Sequence, residues 1–276
     1  MRPASLLRPL FAVLLAAAIA LSAGAGAATA ASMPDGRGAA AAVAGGSVTT
    51  DGAAEGAAER ARDLRLAAER ARDVRLPAAG EAAVAEVQVR SAPRRDSRRL
   101  ETMDRLRSDY RPTVFFVFGR ERRDDGTWLR IRVPGRPNGQ TGWVQAGALR
   151  GLRYVGGREL VVDRSRREIR LVKGRRTVLH APLAVGKPGA PTPLGSFYLT
   201  AAFHPSDSFL GPWAFETSAY SALSDWPGGG IVGLHGTSEP SSIGHAASHG
   251  CLRVHNDVIM KLKRMVGPGT PLLIKR

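Results

Sequence analysis

The only cysteine of this 276-residue chain, Cys251, stands in Ser248-His249-Gly250-Cys251-Leu252-Arg253. Sixteen residues upstream lies His235, which ends the run Ile231-Val232-Gly233-Leu234 and is followed by Gly236 and Thr237. A thiol becomes a nucleophile when a base takes its proton and donors stand ready for the oxyanion that its attack creates. Cys251 fits the nucleophile and His235 the base. Gly250 allows close approach to a substrate carbonyl, so the backbone N–H groups of Gly250 and Cys251 are candidate oxyanion donors. Arg253 adds a fixed positive charge two residues on, which favours thiolate. A lone cysteine is more often a buried small hydrophobe, but the flanking histidines and glycines point to chemistry. His235, His249 and Cys251 are also a conceivable zinc set; an H-E-x-x-H spacing is absent, and neither metal nor other cofactor is expected. One cysteine excludes a disulfide framework, a zinc ribbon and a C-x-x-C redox pair.

The elements that must position these residues read as strands. Glu159–Asp163, Glu168–Val172, Thr177–Val185 and Ile231–His235 are β-rich runs separated by turns, over a region from residue 152 to 276. One helix is expected there, near the C-terminus: Val258, Ile259, Leu262 and Met265-Val266 share a face, with Asn256 or Asp257 as N-cap and Gly267-Pro268 as the stop. Upstream, Val114–Phe118, Trp128–Val133 and Thr141–Val144 alternate with Asp124-Asp125-Gly126, Pro134-Gly135 and Pro137-Asn138-Gly139 turns. This spacing predicts a small antiparallel barrel over residues 93–151, similar to the SH3-like modules of exported cell-wall proteins. The fold class is mostly β.

The beginning of the chain predicts export. Arg2 and Arg8 precede the apolar run Leu10–Leu21, and Ala28-Thr29-Ala30 fits a cleavage site, giving a signal peptide over residues 1–31. The run is too short to span a bilayer as a helix, and no transmembrane segment is expected after cleavage. Residues 32–92 are Ala/Arg-rich, and a ten-residue unit from Ala57 to Leu66 recurs from Ala67 to Leu76 before Pro77. Two copies cannot build a solenoid core, so the stretch is expected to be a linker, disordered or transiently helical, and dispensable for chemistry. Forty Lys and Arg against 24 Asp and Glu give a net charge of +16, with only five lysines. That balance suits an acidic cell-wall polymer as partner. It does not signal nucleic acid, because Glu and Asp interleave with the arginines and the chain is exported.

The last region resembles the L,D-transpeptidase (YkuD-type) catalytic domain of bacterial cell-wall enzymes. Val185-Gly186-Lys187 with Pro191-Thr192-Pro193-Leu194-Gly195-Ser196-Phe197, Tyr220-Ser221, Leu234-His235-Gly236-Thr237 and the segment from Ser248 to Asn256 carry the likeness. The resemblance implies a β-sandwich with the cysteine at the mouth of a cleft. It implies Cys251 as nucleophile, His235 as proton carrier, and Ser248, His249, Gly250, Gly236 and Arg253 as oxyanion-hole and site-shaping residues, with Tyr220 touching substrate. The implied reaction is acyl transfer from a peptidoglycan tetrapeptide stem to the amine of a second stem, giving a 3→3 cross-link. Water as acceptor would make the protein an L,D-carboxypeptidase. A non-catalytic wall-binding protein is the rival from another class, and the presence of both His235 and Cys251 weighs against it.

Overall fold

The computed structural model describes residues 50–224 and 227–276. The expected signal peptide and the first part of the expected linker lie outside the described residues. A helix, α1 (Thr50–Asp73), leads into seven strands: β1 (Ala78–Ala82), β2 (Glu86–Arg90), β3 (Arg99–Asp104), β4 (Val114–Arg123), β5 (Gly126–Arg132), β6 (Thr141–Gln145) and β7 (Leu149–Tyr154). They form one antiparallel sheet in the order β3-β2-β6-β5-β4-β1-β7.

This corrects the linker expected from composition. β1 is an interior strand between β4 and β7, and β2 pairs with β3 and β6. The strand carries no hydrophobic signature, being made of Ala78, Ala79, Gly80, Glu81 and Ala82, yet its four small residues are all buried. Small side chains suit a strand packed between close neighbours and give no hydrophobic pattern. The helix is likewise docked. Ala71 is fully buried, and Ala68 and Val74 pack on the same core as Phe115, Leu129, Ile131 and Val144. Arg120 donates to the carbonyls of Ala71 and Val74 at 3.1 and 3.2 Å, satisfying carbonyls at the helix C-terminus that lack intrahelical donors.

The remainder forms β8 (Glu159–Asp163), β9 (Glu168–Lys173), β10 (Arg176–Pro182), β11 (Val185–Gly186), β12 (Gly195–Phe203), β13 (Ala214–Tyr220), β14 (Ile231–His235), β15 (Ala246–Ser248), β16 (Leu252–Arg253), α2 (Asn256–Met265) and β17 (Pro271–Lys275). Eight of these strands make a mixed sheet, β10-β9-β8-β17-β12-β13-β14-β16, and β11 pairs with β15. Its core gathers Leu160, Ile169, Leu171, Leu199, Phe215, Leu234 and Leu252 with Val258, Ile259 and Leu262 of α2. The apolar face predicted for the helix is the buried one. The cap differs: His255 is the N-cap residue and makes no side-chain cap bond. Asn256 instead spends its Oδ1 on the N–H of Thr237, at 2.8 Å, tying the helix start to the turn after His235.

The two sheets meet along a seam. Phe116 of β4 stacks on Tyr198 of β12, with ring centroids 5.6 Å apart, and the Tyr198 hydroxyl donates to the Val114 carbonyl at 3.0 Å. Such a stack adds about 1 kcal/mol beyond the area it buries. Nearby, Arg107 forms an ion pair with Glu216 of β13 and donates to Thr200 at 3.3 Å, and the Arg111 guanidinium lies 4.2 Å over the Phe203 ring. Among the described residues, no helix is long and apolar enough to cross a membrane.

Candidate active site

The parallel pairing of β14 with β16 assembles the site. Leu234 faces Leu252 and His235 faces Arg253 across this pair. Cys251 precedes β16, so the register sets it beside Gly233, whose N–H donates to Cys251 Sγ at 3.4 Å. A β-carbon on Gly233 would stand 3.3 Å from His235 Cδ2 and 3.7 Å from Cys251 Sγ. Base and thiol therefore crowd the same point above a residue that has no side chain. A side chain there would press on the His235 ring and touch the sulfur. Gly233 was not among the expected site residues, although its place two residues before His235 on an alternating strand is the signal.

His235 is 2% exposed, and its Nδ1 lies 2.6 Å from the Gly236 carbonyl. A carbonyl only accepts, so Nδ1 carries the proton and Nε2 is left as the basic nitrogen. Burial pushes the His235 pKa down to about 4; the bond to Gly236 opposes this, and the Arg253 charge adds to it. Burial pushes the Cys251 thiol up, against the opposing pull of the Gly233 N–H and of Arg253. The Arg253 charge favours thiolate in the expected direction, but desolvation outweighs it. At neutral pH the pair rests as thiol and neutral imidazole.

The turn carrying Cys251 is braced from several sides. Ser248 Oγ donates to the Cys251 carbonyl at 2.6 Å and accepts from the Gly250 N–H at 3.1 Å. That engagement withdraws Gly250 N–H from the expected oxyanion pair, because the Ser248 hydroxyl closes the turn on itself. Thr192, fully buried, accepts from the Gly186 N–H and donates to the Gly250 carbonyl, both at 2.9 Å. Gly250 has φ +121°, and a β-carbon there would come within 2.7 Å of Ser221 Cβ.

A cleft of about 380 Å³ opens over the pair, lined among others by His235, Ser248, His249, Cys251 and Arg253. His249 Nε2 lies 2.9 Å from Lys187 Nζ. The Arg253 side chain is 7% exposed, pairs with Glu239 at 2.7 Å, and lies 4.5 Å over the Phe209 ring. Phe203, Phe209 and Glu216 also line the cleft, and the sequence reading gave none of them a role there. Tyr220, expected to touch substrate, is not among the lining residues; its ring lies 4.9 Å beneath the Arg136 guanidinium. Gly236 serves the site through its carbonyl. Among the described residues no group of three or more His, Cys, Asp or Glu is placed to hold a metal ion.

Comparison with known proteins places this region. Residues 157–274 match the family model described as YkuD, L,D-transpeptidase catalytic domain. The protein named "Putative L,D-transpeptidase YkuD" of Bacillus subtilis (strain 168) is 31% identical over 118 residues, which is 42% of this chain and 65% of that protein. Its namesake in Bacillus licheniformis is 34% identical over 116 residues, 42% of this chain and 64% of that one. The chain thus spans just under two thirds of the length of these relatives. A crystal structure of an L,D-transpeptidase from Mycobacterium tuberculosis H37Rv is 14% identical, with a TM-score of 0.40, covering 59% of this chain and 90% of that one.

Proposed function

We propose, from the match of residues 157–274 to the YkuD family model of L,D-transpeptidase catalytic domains, that this protein transfers an acyl group between peptidoglycan stem peptides through a thioester on Cys251. The observation that carries the reading is one cleft lined by Cys251 and by a His235 whose tautomer leaves Nε2 basic. As Cys251 Sγ attacks the carbonyl preceding the terminal D-alanine of a tetrapeptide stem, His235 Nε2 takes the thiol proton. The Cys251 N–H receives the developing oxyanion, since Gly250 N–H is engaged by Ser248. The C–N bond breaks, His235 returns the proton to the departing amine, and D-alanine leaves with a thioester behind. An amine of a second stem then attacks the thioester, giving its proton to His235, and sulfur departs and is reprotonated. The product is a 3→3 cross-link, and no cofactor enters the balance. The predicted export signal and the +16 charge support work outside the cytoplasm on an acidic wall polymer.

Incubating the protein with disaccharide-tetrapeptide and weighing the products tests this. D-alanine release with a dimer lighter than two tetrapeptide units by one D-alanine is the expected result. Monomeric tripeptide alone would assign water as the acceptor. Cys251→Ser is expected to form neither product, because a serine hydroxyl lacks thiolate character. No product from the folded wild type would overturn acyl transfer and favour a wall-binding role.

A further inference from the structure

The family match begins at residue 157, yet the turn that supports Cys251 is gripped by two residues of the first sheet, Arg136 and Asn138, between β5 and β6. Asn138 treats Tyr220 as a neighbouring strand would: its Nδ2 donates to the Tyr220 carbonyl at 2.7 Å and its Oδ1 accepts the Tyr220 N–H at 2.9 Å. Arg136 donates to three carbonyls, those of Ser221 at 2.9 Å, Leu223 at 3.0 Å and Gly229 at 2.8 Å. Its guanidinium also covers the Tyr220 ring. One planar fork, with donors in fixed directions, thereby sets the positions of three backbone points.

What those bonds position is Ser221. It is 4% exposed and its N–H donates to the Gly230 carbonyl at 2.9 Å. Its Cβ stands where Gly250 has no room for a side chain, and Gly250 is covalently joined to Cys251. The path from the first sheet to the nucleophile is therefore three links long, from Arg136 and Asn138 to the Tyr220–Ser221 backbone, from there to Gly250, and from Gly250 to Cys251. Thr192 and Ser248 hold the turn from the catalytic side; Ser221 is the contact that answers to the other sheet.

We infer that Arg136 and Asn138 are positioning residues for Cys251, so that the first sheet completes the active site of the second. They touch no reacting atom and act through Ser221 and Gly250. A misplacement of about 1 Å at a reacting group costs up to about 10²-fold in rate, and a loosened Gly250 turn moves Sγ relative to both Gly233 N–H and His235.

The test uses the full chain carrying Arg136→Ala, Asn138→Ala, Arg136→Lys, or both alanine changes. Arg153→Ala is the control, since Arg153 also crosses the seam, donating to the Pro268 carbonyl at 2.7 Å, but away from the cleft. Iodoacetamide alkylation of the sole cysteine, followed by intact mass across a pH series, reads the thiol directly. The kcat and KM for D-alanine release read the reaction. The double variant is expected to lose about tenfold in kcat with KM within about twofold. Its alkylation midpoint is expected to move down toward an ordinary thiol as water reaches the loosened turn. Arg136→Lys is expected to keep part of the rate, and Arg153→Ala all of it. The kcat arm depends on the acyl-transfer reading, whereas the alkylation arm does not; a shifted midpoint in a protein that releases no D-alanine would sustain the positioning role alone. An unchanged midpoint and kcat in the single and double variants would overturn it, as would an equal loss in Arg153→Ala.

Discussion

His235 and Arg253 are register partners on the parallel strands β14 and β16, so a buried guanidinium stands beside the imidazole proposed as the base. Its charge works in the same direction on both reacting groups. It disfavours a second positive charge on His235 and favours a negative one on Cys251. Burial acts with it at the histidine and against it at the thiol, which is why the resting pair is neutral.

The burial of His235, with a smaller contribution from the Arg253 charge, makes stability depend on pH. The His235 pKa is about 4 in the folded protein against 6.5 for the free side chain. Below pH 6.5 the unfolded chain binds a proton that the folded chain refuses, so stability is full above 6.5 and is lost as pH falls toward 4. The loss amounts to roughly 3 kcal/mol. Melting temperatures of wild type and His235→Gln between pH 7 and 4 check it; the variant is expected to decline less. Parallel curves would remove His235 as the titrating group.

Arg253→Met removes the charge and keeps much of the packing against Phe209. The alkylation midpoint of Cys251 is expected to rise further, since the guanidinium is one of the two influences that lower it. Arg253→Lys is expected to hold the midpoint near wild type while losing the stacking geometry. An unmoved midpoint in Arg253→Met would leave Arg253 with a packing role only.

Gly250→Ala combines a φ of +121° with a contact of 2.7 Å to Ser221 Cβ. The backbone cost alone is about 1–3 kcal/mol, and the contact displaces the cysteine turn. D-alanine release is expected to fall by about 10²-fold in a protein that still melts cooperatively. Adding Ser221→Gly relieves the contact and not the backbone strain, so partial recovery is expected. Full activity in Gly250→Ala would mean that the turn does not need this conformation.

Removing residues through 91 takes away α1, β1 and β2. Composition alone predicts a harmless deletion. With β1 seated between β4 and β7, the first sheet is instead expected to lose its fold, and turnover with it. Circular dichroism melting and D-alanine release are the readouts, and a stable, active product would restore the linker view.

The strands with large residues and the placing of Cys251 and His235 in one cleft were legible in the sequence, because β-branched and aromatic alternation and the S-H-G-C-x-R segment are local signals. The sequence missed β1, whose burial is achieved with alanine and glycine, and it missed the docking of α1, whose contacts run through Ala68 and Ala71. Small residues pack by fitting closely, and closeness leaves no hydropathy trace. The cleft residues Phe203, Glu216 and Phe209 were invisible for another reason: only the pairing of β12, β13 and β14 brings them to the cysteine. The bond from the Gly250 N–H to Ser248 Oγ leaves no local signal in the sequence either, because it depends on the conformation of the turn.

The seam has a consequence for how such a chain can be rebuilt. Phe116 on Tyr198, Arg107 with Glu216, and Arg136 on Ser221 commit residues from both sheets to one another. If the inferred role of Arg136 and Asn138 holds, residues 157–274 are expected to depend on this leading module. Grafting them behind a different leading module is expected to strand an aromatic face on β12 and release the backbone beside the Cys251 turn, unless the new module reproduced the same three grips.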